Sequence, residues 1–300
     1  MKRVLVTGAN GFTGKYMLQQ LKIQGFYVVS LGMIPVKAAD ENFICDLTDK
    51  VAVQEAVLAV KPGWVIHLAA ISFVAHDDTD AIYKVNLLGT KYLLESLAEL
   101  QNKPEAVLLA SSAVVYGDVR TEVVTESVDV APVNDYGVSK AAMEQLAYLW
   151  KDKLPIIITR PFNYTGVGQE ERFLIPKVID HFTRKSSLIE LGNIDVEREF
   201  GDVRNVCQIY QKLLQTPQAI GKTFNICSGV AYSVQEILAM MEKIAGYQIE
   251  IKVNPDFVRE NEIKRLAGDN ALLYATIGMQ SFLVLEETLK WMYLAKKTEL

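Results

Sequence analysis

Tyr136 and Lys140 stand four residues apart in Tyr136-Gly137-Val138-Ser139-Lys140. On a helix that spacing puts both side chains on one face, about 6 Å apart along the axis. A free phenol, with a pKa of about 10, relays protons poorly near neutrality. An ammonium group beside it favours phenolate and draws that pKa towards the working range. Such a tyrosine can protonate an alkoxide as hydride reaches carbon, or take a proton from an alcohol as hydride leaves. Ser111 and Ser112 close the apolar run of Leu109-Ala110-Ser111-Ser112-Ala113-Val114-Val115-Tyr116-Gly117. A hydroxyl there can hold a substrate carbonyl and share it with Tyr136, which makes Ser111 and Ser112 candidate substrate contacts.

A second cluster lies at the start of the chain, where Thr7-Gly8-Ala9-Asn10-Gly11-Phe12-Thr13-Gly14 joins a strand-like run to a helix-like one. Glycines so placed allow a tight turn, close backbone approach to a pyrophosphate and close helix packing. The helix N-terminus then offers unpaired N–H groups to the phosphates. The spacing is GxxGxxG, not GxGxxG. Expected dinucleotide contacts are Gly8, Asn10, Gly11, Phe12, Thr13 and Gly14. The next candidate strand ends at Gly32, where an NAD-selective site usually carries a carboxylate for the ribose hydroxyls. Nothing at that corner repels a 2′-phosphate and Lys37 can approach one, so NADP(H) is favoured over NAD(H). Asp46, after the third candidate strand, reads equally well as an acceptor for the adenine amine and as a turn or helix-capping residue.

The elements that position these groups read as an alternation of short β-branched runs and longer helical patterns, the mark of a parallel doubly wound sheet. Candidate strands cover 3–6, 27–31, 43–45, 64–67, 106–110, 156–159 and 223–226. Candidate helices cover 11–24, 50–60, 80–100, 136–151 and 203–214. The rhythm changes after Arg160, with a turn-rich stretch at 163–169 and a mixed region from 230 to about 278. The expected architecture is an α/β, Rossmann-type sheet with a smaller, interleaved C-terminal substrate domain. Residues 1–162 with about 186–228 form the first unit, and about 163–185 with 229–300 the second.

Composition narrows the partners. A net charge of −5 over 300 residues gives no basic surface for nucleic acid, and the Lys296-Lys297 pair does not change that. Cys45, Cys207 and Cys227 are far apart and odd in number, and His67, His76 and His181 lack ligand spacing, so no metal site is expected. The opening MKRVLVTG is too short for a signal h-region or membrane span. A cytoplasmic protein without membrane contact is the expectation.

Taken together, TGANGFTG, HLAA (67–70), Asn86 within YKVNLLGT, SSAVVYG, YGVSK and RPFNYTG resemble the extended short-chain dehydrogenase/reductase family over nearly the whole chain. The resemblance implies a catalytic trio of Ser112, Tyr136 and Lys140. It implies that Leu47, Leu68, Ala69, Ala70 and Asn86 line the cofactor site, with Asn86 supporting the active-site water and backbone. It also implies a nucleotide-sugar substrate and a homodimer in which two long helices (80–100 and 136–151) pack as a four-helix bundle.

Within that family, 4,6-dehydratases carry an acid or acid pair just after the catalytic hydroxyl, because eliminating water needs an extra acid and base. This chain has Ala113 and Val114 there. RPFNYTGVGQ (160–169), GNIDVEREFGDVR (192–204) and Arg259-Glu260-Asn261-Glu262 nevertheless resemble GDP-mannose dehydratases and their partner 4-keto-6-deoxyhexose reductases. By that match Asn163, Arg198 and Arg259 contact the diphosphate and Glu262 the ribose, although Glu260 stands where the pattern has proline. The expectation is an NAD(P)H-dependent reductase of a GDP- or dTDP-linked 4-keto-6-deoxyhexose, making a 6-deoxyhexose of rhamnose or talose type for surface polysaccharide. A 4-epimerase holding NAD tightly is the alternative, followed by a 4,6-dehydratase. A cofactor-sensing protein without turnover is disfavoured by the intact Tyr–Lys pair.

Overall fold

Apolar runs buried on both faces become parallel strands, and that is what the computed structural model shows for the residues it describes: 1–72, 78–119, 121–258, 263–279 and 281–298. In chain order the strands are β1 (Arg3–Thr7), β2 (Tyr27–Gly32), β3 (Glu41–Ile44), β4 (Trp64–His67), β5 (Ala106–Ala110), β6 (Ile156–Pro161), β7 (Tyr164–Thr165), β8 (Leu188–Leu191), β9 (Glu197–Glu199), β10 (Gly201–Asp202), β11 (Thr223–Ile226), β12 (Ala231–Ser233), β13 (Glu250–Val253) and β14 (Arg265–Leu266). The helices are α1 (Phe12–Ile23), α2 (Lys50–Val60), α3 (Thr79–Tyr83), α4 (Thr90–Glu99), α5 (Asp135–Tyr148), α6 (Leu174–Thr183), α7 (Val203–Leu214), α8 (Val234–Ala245), α9 (Ala271–Ile277) and α10 (Leu285–Lys297).

Seven strands form one sheet in the order β11-β6-β5-β4-β1-β2-β3, every neighbouring pair parallel. One face is covered by α1, α7 and α9 through Met17, Leu21, Ile209, Leu213 and Leu273. The other is covered by α2, α4 and α5 through Val53, Val57, Leu93, Leu97 and Met143. The doubly wound sheet expected from the alternation is therefore present. Its order reverses between β1 and β4, and ligands of open α/β sheets bind at that carboxyl edge.

Two elements differ from the sequence expectation. The strand expected over 43–45 is displaced to Glu41–Ile44 because Asn42 Oδ1 accepts from Ser30 Oγ (2.6 Å) and Val36 N (2.7 Å), pinning the start of β3 to β2 and the intervening loop. The continuous helix expected over 80–100 is interrupted by a π-helical turn, Lys84–Gly89, between α3 and α4. Such turns insert an extra residue and recur at functional sites; this one points Asn86 inward, 1% exposed.

A separate cluster joins α6, α8 and α10 to β8, through Ile175, Phe182, Ile189, Ile237, Met241 and Leu289. Strand β8 pairs with β13, while β9 lies between β12 and β14. Residues 188–199 were assigned by the sequence reading to the first unit, but β8 and β9 pair with β13, β12 and β14 of the second; we propose that the boundary falls after β9 accordingly. The two clusters meet where Tyr16 of α1 packs edge-on against Trp291 of α10; Phe12, beside Tyr16, stacks on Tyr164. Asp202 caps α7 and accepts from Thr288 of α10 (2.8 Å). No helix among the described residues is long and apolar enough to cross a membrane.

Candidate active site

The glycine turn is shaped by contacts that allow no side chain. Gly8 is left-handed (φ +69°), and a Cβ on it would lie 2.6 Å from Ala69 N. A Cβ on Gly14 would lie 2.2 Å from Gly8 O and 2.6 Å from Ala9 Cα. The first turn of α1 is thus held hard against the end of β1, with Gly11 N donating to Gly8 O (3.0 Å). The N-terminal amides of α1 that no helical carbonyl serves face this cradle, the arrangement that binds a pyrophosphate.

The loop after β4 is fixed to the same turn by a buried chain of hydrogen bonds. Thr90 Oγ1 donates to the Asn86 carbonyl (2.7 Å), so it accepts from His67 Nε2 (2.9 Å). His67 is therefore the Nε2–H tautomer, and its Nδ1 accepts from Thr7 Oγ1 (2.7 Å), which in turn accepts from Ala69 N (3.2 Å). Burial, with a smaller contribution from the Lys140 charge, pushes the His67 pKa down to about 3 and keeps the ring neutral. Leu68, Ala69 and Ala70 are consequently presented at the carboxyl edge beside Gly8.

Asn86 was expected to line the cofactor site and to support its backbone, and the structure shows how it ties that backbone together. Its Oδ1 accepts from Ile71 N (2.8 Å) while Nδ2 donates to Ile71 O (3.1 Å) and Ser139 Oγ (3.0 Å). Ser139 Oγ donates to Tyr136 O (2.7 Å). With its donors and acceptor engaged, Asn86 ties the β4 loop to the helix that carries Tyr136. Leu47 is also a packing residue, against Gly89 of the π-turn. Asp46 Oδ1 closes its own turn, accepting from Thr48 N (2.8 Å) and Thr48 Oγ1 (2.9 Å), and the exposed side chain leaves the adenine reading as a proposal.

Helix α5 begins at Asn134, whose side chain accepts from Gly137 N (2.8 Å). Gly137 permits the first turn to press on the segment after Ser112: a Cβ there would meet Pro132 Cβ at 2.9 Å and Val114 O at 3.1 Å. Tyr136 is thereby brought to Ser112, whose hydroxyl lies near enough to act on its pKa. Lys140, one turn on, is buried and donates to Ala110 O (2.7 Å). The expectation that Lys140 lowers the Tyr136 pKa is not met in this state. Burial dominates and raises Tyr136 to about 12, with only the Ser112 hydroxyl opposing it. Burial likewise lowers Lys140 to about 8, opposed by the charge of Glu144. Tyr136 is therefore a proton donor held in its neutral form.

Ser111 was expected to face substrate, but its hydroxyl donates to the buried Glu144 carboxylate. Glu144 also takes Arg160 Nη2 (2.6 Å) and Arg160 Nε (3.0 Å), and Arg160 Nη1 reaches Tyr116 Oη (3.0 Å). Ala113 is buried in the neighbouring apolar cluster and Val114 is half-buried. Neither can move a proton.

Toward the smaller unit, Asn163 is exposed beside β10, its carbonyl accepting from Gly201 N (2.8 Å). Arg198 lies on β9, donating to the Glu197 carbonyl (2.9 Å) and to the Ile263 carbonyl. Arg259 and Glu262 lie outside the described residues. The site thus collects the glycine turn, the β4 loop, Ser112, Tyr136 and Lys140 at one sheet edge. Sequence reasoning missed Thr7, Thr90, Ser139 and Glu144. Glu144 had a signal, since it continues the Tyr136, Lys140 stripe at the same spacing. Tyr164 was also unassigned; its hydroxyl bonds Thr13 Oγ1 (2.7 Å) under the stacked Phe12 ring. Among the described residues, no group of three or more His, Cys, Asp or Glu is placed to hold a metal ion.

Comparison with known proteins bears on this geometry. The family described as GDP-mannose 4,6 dehydratase matches residues 5–292. The chain is 36% identical to GDP-6-deoxy-D-talose 4-dehydrogenase of Aggregatibacter actinomycetemcomitans, over 92% of this chain and 91% of that one. It is 30% identical to GDP-6-deoxy-D-mannose reductase of Pseudomonas aeruginosa, over 96% and 95%. Among solved structures, a candidate epimerase from Burkholderia cenocepacia J2315 superposes with a TM-score of 0.93 at 44% identity, over 99% and 98% of the two chains. RMD from Pseudomonas aeruginosa, complexed with NADPH, superposes with a TM-score of 0.86 at 28% identity, over 100% and 99%.

Proposed function

Because the chain belongs to the family described as GDP-mannose 4,6 dehydratase, we propose that it reduces the C4 ketone of a GDP- or dTDP-linked 4-keto-6-deoxyhexose at the expense of NAD(P)H. One observation carries the choice of reaction within that family. Ser112, Tyr136 and Lys140 are assembled, yet the two positions after Ser112 hold a buried alanine and a half-buried valine. Elimination of water needs an acid and a base there; reduction needs only one proton donor.

The turn of Gly8, Gly11 and Gly14, packed so closely that a Cβ on Gly8 or Gly14 would collide with neighbouring backbone, fits a dinucleotide pyrophosphate. When bound, the nicotinamide cofactor supplies hydride to the ketone carbon. Ser112 then hydrogen-bonds the ketone oxygen and Tyr136 delivers its proton to that oxygen as negative charge develops. Lys140 stabilises the phenolate so formed. Asn163 and Arg198, with Arg259, are proposed to hold the diphosphate, and Glu262 the ribose. NADP(H) is the proposed cofactor, because Gly32 ends β2 with nothing within 4 Å of where a Cβ would stand. The 6-deoxyhexose product, its use in surface polysaccharide, a cytoplasmic site of action and a homodimer are parts of the same proposal. Apolar side chains exposed at Leu88 of the π-turn, Val138 of α5 and Leu149 just after it support the last.

The decisive experiment incubates the protein with NADPH and freshly made GDP- and dTDP-4-keto-6-deoxyhexoses, following NADPH consumption and identifying the product by NMR. Tyr136→Phe lowers turnover ~10²–10⁴-fold, as loss of a general acid does; near-normal turnover in that variant refutes the assignment. A 4-epimerase reading is kept open by the resemblance to the Burkholderia cenocepacia protein. It requires co-purified NAD and no net NADPH consumption.

A further inference from the structure

Glu144 lies two turns beyond Tyr136 and one beyond Lys140, so all three carry one stripe of α5. It is 6% exposed and its carboxylate is saturated with donors. Ser111 Oγ bonds Oε1, while Arg160 bonds both oxygens, at 3.0 Å from Nε to Oε1 and 2.6 Å from Nη2 to Oε2. The Ser111 donor leads back to the reacting groups: it sits between Ala110, whose carbonyl holds the Lys140 ammonium, and Ser112, which lies beside Tyr136. Arg160 is in turn held by Tyr116, whose hydroxyl donates to Asn225 Oδ1 (2.7 Å) on β11.

A buried ion pair of this kind contributes little net stability, since desolvation offsets the attraction. Its worth lies in what it orients. We propose that Glu144 is a positioning residue for the reaction: anchored by Arg160 and Ser111, it fixes the Ala110–Ser112 strand end whose carbonyl holds the Lys140 ammonium. The proposal rests on the reductase reading only for its consequence in turnover.

The groups facing Lys140 make the assignment specific. Along α5 they are Tyr136, neutral, and Glu144, charged. From β4 comes His67, a neutral imidazole, and from β5 the Ala110 carbonyl. Arg160 on β6 stands behind Glu144 and is paired to it. Glu144 is therefore the anionic group acting on Lys140 among these neighbours, and it opposes the effect of burial.

The test reads Lys140 directly, without substrate. In cofactor-free protein, competitive acetylation at graded pH followed by peptide mass spectrometry gives the midpoint at which Lys140 becomes reactive. The midpoint expected for the wild type is about 8, lowered from the usual lysine value by burial. In Glu144→Gln it falls by about one pH unit or more, the size expected on losing a neighbouring opposite charge, and Glu144→Asp restores it. Should Glu144→Gln fail to fold, the double variant Glu144→Gln, Arg160→Gln leaves no buried charge unpaired and also shows a lowered midpoint. In turnover, the alkaline limb of kcat moves to lower pH by the same amount while KM changes little. A folded variant whose Lys140 midpoint equals the wild-type value overturns the proposal. If the midpoint shifts but no 4-keto sugar is reduced by any form, the reductase reading fails and the positioning role stands.

Discussion

Replacing Gly14 by alanine tests whether the cofactor turn is as tight as described. The added Cβ would stand 2.2 Å from Gly8 O, about 0.8 Å inside the closest approach real Cβ atoms make, near 3.0 Å. All three nearest atoms are backbone, so no side chain can swing aside; either α1 or the Gly8–Ala9 turn must retreat. Overpacking of this kind costs ~1–3 kcal/mol, and for a chain of this size each kcal/mol lowers Tm by roughly 2–4 °C. A fall of about 2–12 °C is expected in a thermal melt. The retreat also moves the α1 amides from the phosphates, so the dissociation constant for NADPH, measured by calorimetry, rises ~10-fold or more, tenfold being 1.4 kcal/mol. Gly32→Ala is the control, because nothing lies within 4 Å of its added Cβ; both quantities stay at wild-type values. NADPH affinity within twofold of wild type in Gly14→Ala, at unchanged Tm, would refute the reasoning.

Gly32→Asp places a carboxylate where it accepts from the ribose hydroxyls and repels a 2′-phosphate. The ratio of NADPH to NADH affinity falls ~10-fold or more, since one like-charge contact near 4 Å costs at least about 1 kcal/mol in water and more when partly desolvated; an unchanged ratio in parallel titrations speaks against the placement of Gly32. Thr90→Val keeps the shape of the side chain but leaves His67 Nε2–H unpaired in the core. The cost is ~1–3 kcal/mol, read as a Tm several degrees lower, and a wild-type melting curve would show that the Thr7–His67–Thr90 chain is not as drawn.

The parts legible in the sequence are those set by local pattern. Short apolar runs at 64–66 and 106–110, rich in β-branched residues, were read as central strands, and they are. The glycine turn was legible because its residue types answer to backbone geometry within eight residues. The serine pair at a strand end and the Tyr136–Lys140 helix spacing were legible locally, while the choice of Ser112 came from the family resemblance. What stayed hidden depends on which way a side chain turns. Ser111 and Ser112 are adjacent at a strand end, where successive side chains point oppositely, and sequence alone did not say which meets Tyr136. Asn86 and Leu47 sit close to the site but are spent on holding the backbone and packing. The partners of residues 188–191 were also out of reach, because pairing with 250–253 is a long-range choice that periodicity does not carry.

The chain of hydrogen bonds through His67 has a consequence in acid. In the folded protein the imidazole stays neutral down to about pH 3, so through the range where histidine usually reports cellular pH this one is silent. The unfolded chain behaves otherwise, taking up a proton on this side chain near pH 6.5. Between those values the unfolded state binds the extra proton, so stability grows as pH rises through the window and drains away as it falls, by up to ~1.4 kcal/mol for each pH unit below about 6.5. The residue that locks the glycine turn to the π-turn is deaf to acid while the fold is intact, and acid works against the fold by capturing it once the lock opens.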